Sequence, residues 1–174
     1  MTSKPTQLLQ PTTSIHLRDI VPADLPTRFQ FQLDPESNSL AAVIPRDHDS
    51  FMKLWPTILT DPTITAKAII ADDLLVGHIS CFKLDGLDAV GYWLSKTYWN
   101  RGIATRALTL FLDLIQTRPL YARVARHNAA SLRVLQRCGF MIDGYQHSPA
   151  DARYLECEEV LLSLPGAPDV RITC

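Results

Sequence analysis

The run Trp99-Asn100-Arg101-Gly102-Ile103-Ala104-Thr105-Arg106 carries residue types and a spacing suited to gripping a phosphate. Apolar residues recur at intervals of three and four through Ala104, Ala107, Leu108, Phe111, Leu114 and Ile115, which predicts a helix with one buried face, opening near Ile103 and spanning about 102–117. A helix leaves its first N–H groups without intrahelical partners, and its dipole adds partial positive charge there. Phosphates bind such ends directly. Gly102 has no Cβ and Ala104 is nearly as small, so backbone can approach a bulky anion, and Arg101 and Arg106 add full charges beside it. Before the run stands Gly91-Tyr92-Trp93-Leu94, aromatic and apolar like a buried strand. The chemistry implied is a pyrophosphate cradle at a strand-to-helix junction. Neither the P-loop string nor the Gly-x-Gly-x-x-Gly dinucleotide fingerprint occurs in the chain.

A second stretch follows. Asn128-Ala129-Ala130-Ser131 opens a helical pattern over 128–138, with Asn128 placed to accept a bond from first-turn N–H groups, and Gly139-Phe140 closes it.

Together the two stretches resemble the acetyl-CoA motifs of the GNAT N-acetyltransferase superfamily, which reads Gln/Arg-x-x-Gly-x-Gly/Ala and, further on, Asn-x-x-Ser/Ala with a following Gly-Phe. Trp99 stands at the Gln/Arg position, as is usual in the branch that acetylates ribosomal-protein N-termini, the RimJ/RimL-like enzymes. The resemblance implies acetyl-CoA as cosubstrate and no metal. It assigns the cofactor contacts to Tyr92, Trp93 and Leu94, to Trp99, Asn100, Arg101, Gly102, Ile103, Ala104, Thr105 and Arg106, and to Asn128 and Ser131. It also implies two splayed parallel strands, 90–94 and 121–125, whose exposed backbone groups pair with the amide-rich pantetheine arm as a further strand would.

Acetyl transfer to an amine requires a neutral amine, a stabilised carbonyl oxygen and a protonated leaving thiolate. The Leu94 N–H is the candidate for the oxygen. Many superfamily members carry a tyrosine proton donor in the second helix, where this chain has Leu135. In the ribosomal-protein branch the Ser of Asn-x-x-Ser takes the acid role, which falls on Ser131; the alternative is a first-turn Ser satisfying backbone. That branch draws its base from a Glu after Gly-Phe. The candidates here are Asp151, one residue displaced from the expected place at Ala150, and Glu158 or Glu156 on the last strand, each with a solvated surface carboxylate as the alternative. His78 and His147 have the titration range of a base, and equally suit structural positions.

The elements that must position these residues can be read along the chain. A strand at 14–18 precedes a helix begun by Pro22. An irregular or short helical excursion covers 34–46, and a helix covers 47–59 with Phe51, Leu54, Trp55 and Ile58 on one face and Pro56 expected to kink or shorten it. Strands follow at 64–71, 74–84 and 87–95, the last two joined by an Asp85-Gly86 hairpin turn. After the cradle helix come strand 120–125, helix 128–138 and strands 140–147 and 153–164. The fold class expected is α/β (α+β): a mixed, mostly antiparallel sheet of about seven strands with helices on both faces. The excursion from Phe29 to Trp55 is the candidate acceptor region, with Asp34, Glu36, Asp47 and Asp49 suited to a cationic amine or else simply solvated.

The 174 residues predict one domain at 14–164 between tails at 1–13 and 165–174. A net charge of −1 gives no electrostatic footprint for nucleic acid. No apolar run reaches membrane-spanning length and the first residues lack a signal-peptide core, so a cytoplasmic protein is expected. Cys81, Cys138, Cys157 and Cys174 fit no zinc spacing and read as free thiols. The functional expectation is an acetyl-CoA-dependent N-acetyltransferase whose acceptor is a protein N-terminus or a small amine, with a homodimer common in the family. The alternative is a CoA-binding module without turnover.

Overall fold

The computed structural model describes residues 13–166. Its strands and helices run β1 (Ile15–Asp19), α1 (Leu25–Phe31), α2 (Pro35–Ala41), α3 (His48–Thr60), β2 (Thr65–Ala71), β3 (Leu74–Leu84), β4 (Leu87–Leu94), α4 (Ile103–Leu114), β5 (Leu120–Ala125), α5 (Ala129–Arg137), β6 (Met141–Ser148) and β7 (Cys157–Leu164). The strands form one seven-stranded sheet in the order β1-β2-β3-β4-β5-β7-β6. Every pairing is antiparallel except β4 with β5. A mostly antiparallel mixed sheet of seven strands was the expected architecture.

Side-chain alternation builds a core on each face. From β2, Ile69 and Ala71 join Leu108, Phe111, Leu120 and Leu135, under α4 and α5. Ala68 and Ile70 join Leu25, Phe51 and Trp55, under α1 and α3. The hairpins turn through two residues with positive φ: Asp72 and Asp73 between β2 and β3, and Asp85 and Gly86 between β3 and β4. That is the backbone a twisted two-residue hairpin requires.

Three elements differ most from the sequence reading. Pro56 does not shorten α3; the helix runs through it to Thr60. Phe51 and Trp55 anchor its buried face, and Pro56 lies on the exposed side. α4 stops at Leu114, short of 117, because Ile115 turns extended and stays buried. The Gln116 amide then donates to the Asp113 carbonyl and the Arg118 guanidinium to that of Ile115, both at 2.9 Å, satisfying groups the helix end leaves free. β7 begins at Cys157 rather than 153. The chain before it pairs elsewhere: Tyr154 bridges Val43, Ile44 N–H donates to the Arg153 carbonyl and Leu155 N–H to the Ala42 carbonyl, both at 2.8 Å. The tail expectations for 1–12 and 167–174, and Cys174, lie outside the described residues.

Candidate active site

β4 and β5 run parallel and pair only at Ala89 and Tyr121. Beyond that point, toward Leu94, a cleft of about 370 Å³ opens between β4, the start of α4 and the start of α5. On its other edge β4 stays bound to β3, with Trp93 opposite His78 and Ser95 N–H donating to the Val76 carbonyl at 2.8 Å. Peptide groups in an antiparallel strand alternate in direction. Those of Trp93 and Ser95 therefore face β3, and those of Tyr92 and Leu94 face the cleft. The Leu94 carbonyl is taken by the Trp99 indole N–H at 2.9 Å.

Gly102 enters α4 with φ 72°, and Asn100 before it has φ 60°. No side chain caps the helix, and the Gly102 carbonyl accepts from Arg106 N–H at 3.1 Å. The amides of Ile103, Ala104 and Thr105 are thus the first-turn donors that a helix cannot satisfy itself. A Cβ built on Gly102 would find no atom within 4 Å, so the space in front of this turn is open. Ile103 is itself core, 1% exposed, and offers the cleft its backbone.

α5 is capped as its sequence suggests: Asn128 Oδ1 accepts from Ser131 N–H at 3.1 Å. Ser131 also meets the sheet. Its Oγ lies 2.7 Å from the Tyr92 hydroxyl. Burial pushes the Tyr92 phenol up to about 12, against the opposing pull of its bond to Ser131, so it stays protonated.

Of the residues expected to hold a cofactor, Tyr92, Trp93, Leu94, Trp99, Asn100, Gly102, Ile103, Ala104, Thr105, Asn128 and Ser131 all line this cleft. Arg101 and Arg106 are exposed and do not line it; the Arg101 guanidinium sits 5.3 Å from the Tyr98 ring centroid. Arg133 and Arg137 do line it, one turn apart on α5. Their i, i+4 spacing was visible in the sequence, but nothing marked that face of the helix as turned toward the cleft.

The structure does not bring Asp151 or Glu158 to Ser131's cleft. Asp151 folds its own turn, accepting from the N–H groups of Arg153 and Tyr154 at 2.6 and 2.7 Å, and these bonds hold its carboxyl below the usual range. Glu158 is exposed on β7 and pairs with Arg126 at 2.6 Å. Glu156 pairs with His147 at 3.2 Å. Leu135 is core, 1% exposed.

A smaller pocket of about 200 Å³ lies on the α1 and α3 side, and Trp93 lines both spaces. The acidic residues expected to face an amine are elsewhere. Asp34 and Asp47 cap α2 and α3, Glu36 pairs with Lys96, and Asp49 is exposed beside His48. The pocket's charged lining is instead Arg28, Arg46 and Arg153.

A family model described as acetyltransferase (GNAT) domain matches residues 14–141. The probable N-acetyltransferase YjcK of Bacillus subtilis (strain 168) is 33% identical over 82 residues, 42% of this chain; the match spans 45% of that protein, under half its length. Among solved structures, Mycobacterium smegmatis RimJ in complex with CoA-disulfide has a TM-score of 0.71 at 21% identity, over 89% of this chain and 83% of that one. Spermidine N-acetyltransferase from Vibrio cholerae, in complex with CoA and spermine, has a TM-score of 0.72 at 16% identity, over 86% and 95%. The two structural likenesses speak for the fold, and the family model covers well over half of the chain; the chain belongs to the acetyltransferase (GNAT) domain family.

Proposed function

We propose that the chain is an N-acetyltransferase that moves the acetyl group of acetyl-CoA to a primary amine by direct attack in a ternary complex. The observation that carries this reading is the continuity of one cleft, from the uncapped first turn of α4 to the unpaired edge of β4. The amides of Ile103, Ala104 and Thr105 suit a pyrophosphate, with Arg133 and Arg137 adding charge along the wall. The peptide groups of Tyr92 suit an amide of a pantetheine arm, and the Leu94 N–H lies further along the same edge. These residues fit CoA in both charge and shape.

In the chemistry that follows, the Leu94 N–H stabilises the negative charge that develops on the thioester oxygen. The Tyr92 hydroxyl, backed by Ser131, gives a proton to the departing sulfur as the C–S bond breaks, and the proton shed by the acylated nitrogen returns to the phenolate through solvent. No carboxylate or histidine among the described residues lines this cleft, so the amine sheds its proton to solvent before attack. Asp151 serves in this reading as a turn residue, and Glu158 as a surface ion pair.

The test measures CoA affinity by calorimetry and acetyl transfer against a panel of amines and N-terminal peptides, in the unchanged chain and in Gly102→Glu. Binding and turnover that both disappear in Gly102→Glu, with the fold intact by circular dichroism, support the reading. Tight CoA binding with no turnover on any acceptor would leave a binding module.

A further inference from the structure

Tyr92 and Trp93 are neighbours on β4 whose side chains point to opposite faces of the sheet. Tyr92 reaches α5, and the Trp93 indole N–H donates to the Phe31 carbonyl at the end of α1, 3.2 Å away. Behind Trp93 is the second pocket, walled by Arg28, Arg46, Arg153, Gln32, Trp55 and His78. Its chemistry is unusual. Arg28 is 3% exposed, and its Nε, Nη1 and Nη2 are all buried without a hydrogen-bond partner. Its guanidinium lies 3.4 Å above the Trp55 ring. The carboxylate that acts on it through space, Asp24, is already committed: its oxygens accept from Arg18 at 2.6 and 2.8 Å and from the Val21 N–H at 2.9 Å.

Arg153 adds a fourth unpartnered buried donor, Nη1. Arg46 stands close enough for its charge to weigh on Arg153. Both are held by their backbones. The Gln32 amide clamps Arg46, donating to its carbonyl at 2.8 Å and accepting from its N–H at 3.2 Å. The Val43–Tyr154 bridge and the Asp151 turn fix Arg153. No Asp or Glu lines the pocket among the described residues, and His78 is kept neutral by burial and by the charge of Arg28.

Three guanidinium groups gathered with no carboxylate among the pocket's lining residues repel one another, and buried donors without acceptors are costly to keep. An oxyacid anion relieves both, and the planar guanidinium fork matches a carboxylate or phosphate. The pocket is smaller than the roughly 300–1,000 Å³ typical of drug-sized ligands, which suits an amino-acid-sized group. We infer that this pocket binds the carboxylate or phosphate of a small acceptor through Arg28, Arg46 and Arg153, presenting the acceptor's amine past Trp93 to the cleft. The amine half of this statement rests on the acetyltransferase reading; the anion half rests on the pocket alone. A polycationic acceptor is disfavoured by the same charges.

The experiment titrates succinate and, separately, inorganic phosphate into the full chain by calorimetry, with Arg28→Met, Arg153→Gln and Gly102→Glu as variants and circular dichroism as the check of fold. The expected result is that at least one anion still binds in Gly102→Glu, whose α4 cradle is closed to phosphate, and that this anion binds about tenfold or more weakly in both arginine variants, as loss of a charged hydrogen-bond partner implies. Which anion binds more tightly separates carboxylate from phosphate. Absence of binding by both anions, or binding that neither arginine variant weakens, overturns the proposal. Acetylation assays then compare glutamate and O-phosphoethanolamine with glutamine amide, ethanolamine and spermidine. Preference for either acidic amine is expected; preference for spermidine or a neutral amine overturns the proposal and leaves the acetyltransferase reading standing. Arginine-dependent anion binding with no turnover on any amine defeats the acetyltransferase reading and leaves the pocket's anion specificity standing.

Discussion

The Tyr92 hydroxyl on β4 and the Ser131 hydroxyl on α5 meet at 2.7 Å, where the sheet has stopped pairing with β5. One hydrogen-bonded pair thus joins the strand that would hold a thioester to the helix that flanks it. The two hydroxyls act as a unit in the proposed reaction. Tyr92→Phe and Ser131→Ala are each expected to lower kcat by about 10²-fold, the lower range for a positioned proton donor. The double variant should be no slower than the worse single one, as for groups that work together. Steady-state kinetics on one acceptor checks this; multiplying losses, or changes confined to KM, would remove the pair from the proton pathway.

Gly102 is open in front and left-handed in backbone, so two costs can be separated there. Gly102→Ala meets no atom and pays only for its φ, about 1–2 kcal/mol of stability. Gly102→Glu pays that cost and also sets a negative charge against the α4 amides. CoA affinity should fall modestly in the first and collapse in the second. Urea denaturation alongside calorimetry measures both, and equal affinities in the two variants would place the pyrophosphate elsewhere.

Much of this site could be read in the chain because its determinants are local. A helix opening, its small residues and its cap are written in consecutive positions, and the start of α4 and the Asn128 cap both fall where the periodicity puts them. The same holds for β3 and β5, whose ends were placed to the residue. What the sequence could not reveal depends on chain segments meeting across the fold. Arg28, Arg46 and Arg153 come from α1, the α2–α3 connection and the loop before β7, and no spacing links them. Asp151 looked like a base because sequence shows a carboxylate's position and hides the two N–H groups that occupy it. Tyr92 was read for its backbone alone, since only the approach of α5 gives its hydroxyl a partner.

Gly77 holds Trp93 in place by having no side chain. A Cβ there would stand 2.2 Å from the Trp93 carbonyl oxygen, which is backbone and cannot rotate away. Gly77→Ala must therefore part β3 from β4 beside both pockets. A loss of about 1–3 kcal/mol in stability is expected, the range for overpacking a tight core, together with weaker substrate binding. Gly144→Ala, where no atom lies within 4 Å of the added methyl, serves as the control. Thermal melts that rank the two variants equally would refute the close approach.

Arg28 should be a residue that costs stability. Burial pulls its guanidinium down to about 9, against the upward pull of Asp24, so it remains charged at neutral pH without a hydrogen-bonded partner. A base whose folded pKa lies below its unfolded value penalises the native state at every pH below the folded pKa, and the penalty is relieved as pH rises from there. Arg28→Met removes the charge and keeps much of the stem over Trp55. Stability is expected to rise by about 1–3 kcal/mol, a gain seen when buried charges give way to apolar groups. Denaturant midpoints at neutral pH measure it, and a marked loss would mean that the stacking on Trp55 outweighs the desolvation.

His78 gives the fold a dependence on acid. It packs edge-on against Trp55 with ring centroids 5.6 Å apart, and burial, then the charge of Arg28, holds its imidazole well below the usual range. The unfolded chain takes up a proton there below about pH 6.5, and the folded chain does so only at lower pH. Stability is therefore complete above that value and is lost as pH falls beneath it, by no more than about 1.36 kcal/mol per pH unit. His78→Gln removes the titrating group, so its urea midpoint should fall less between about pH 7 and 5. Parallel denaturation curves of the two proteins at both pH values decide the matter: equal losses would assign the acid sensitivity to other groups. A bound carboxylate or phosphate in the arginine pocket should weaken the dependence, because an anion beside Arg28 lifts the imidazole back toward its ordinary range.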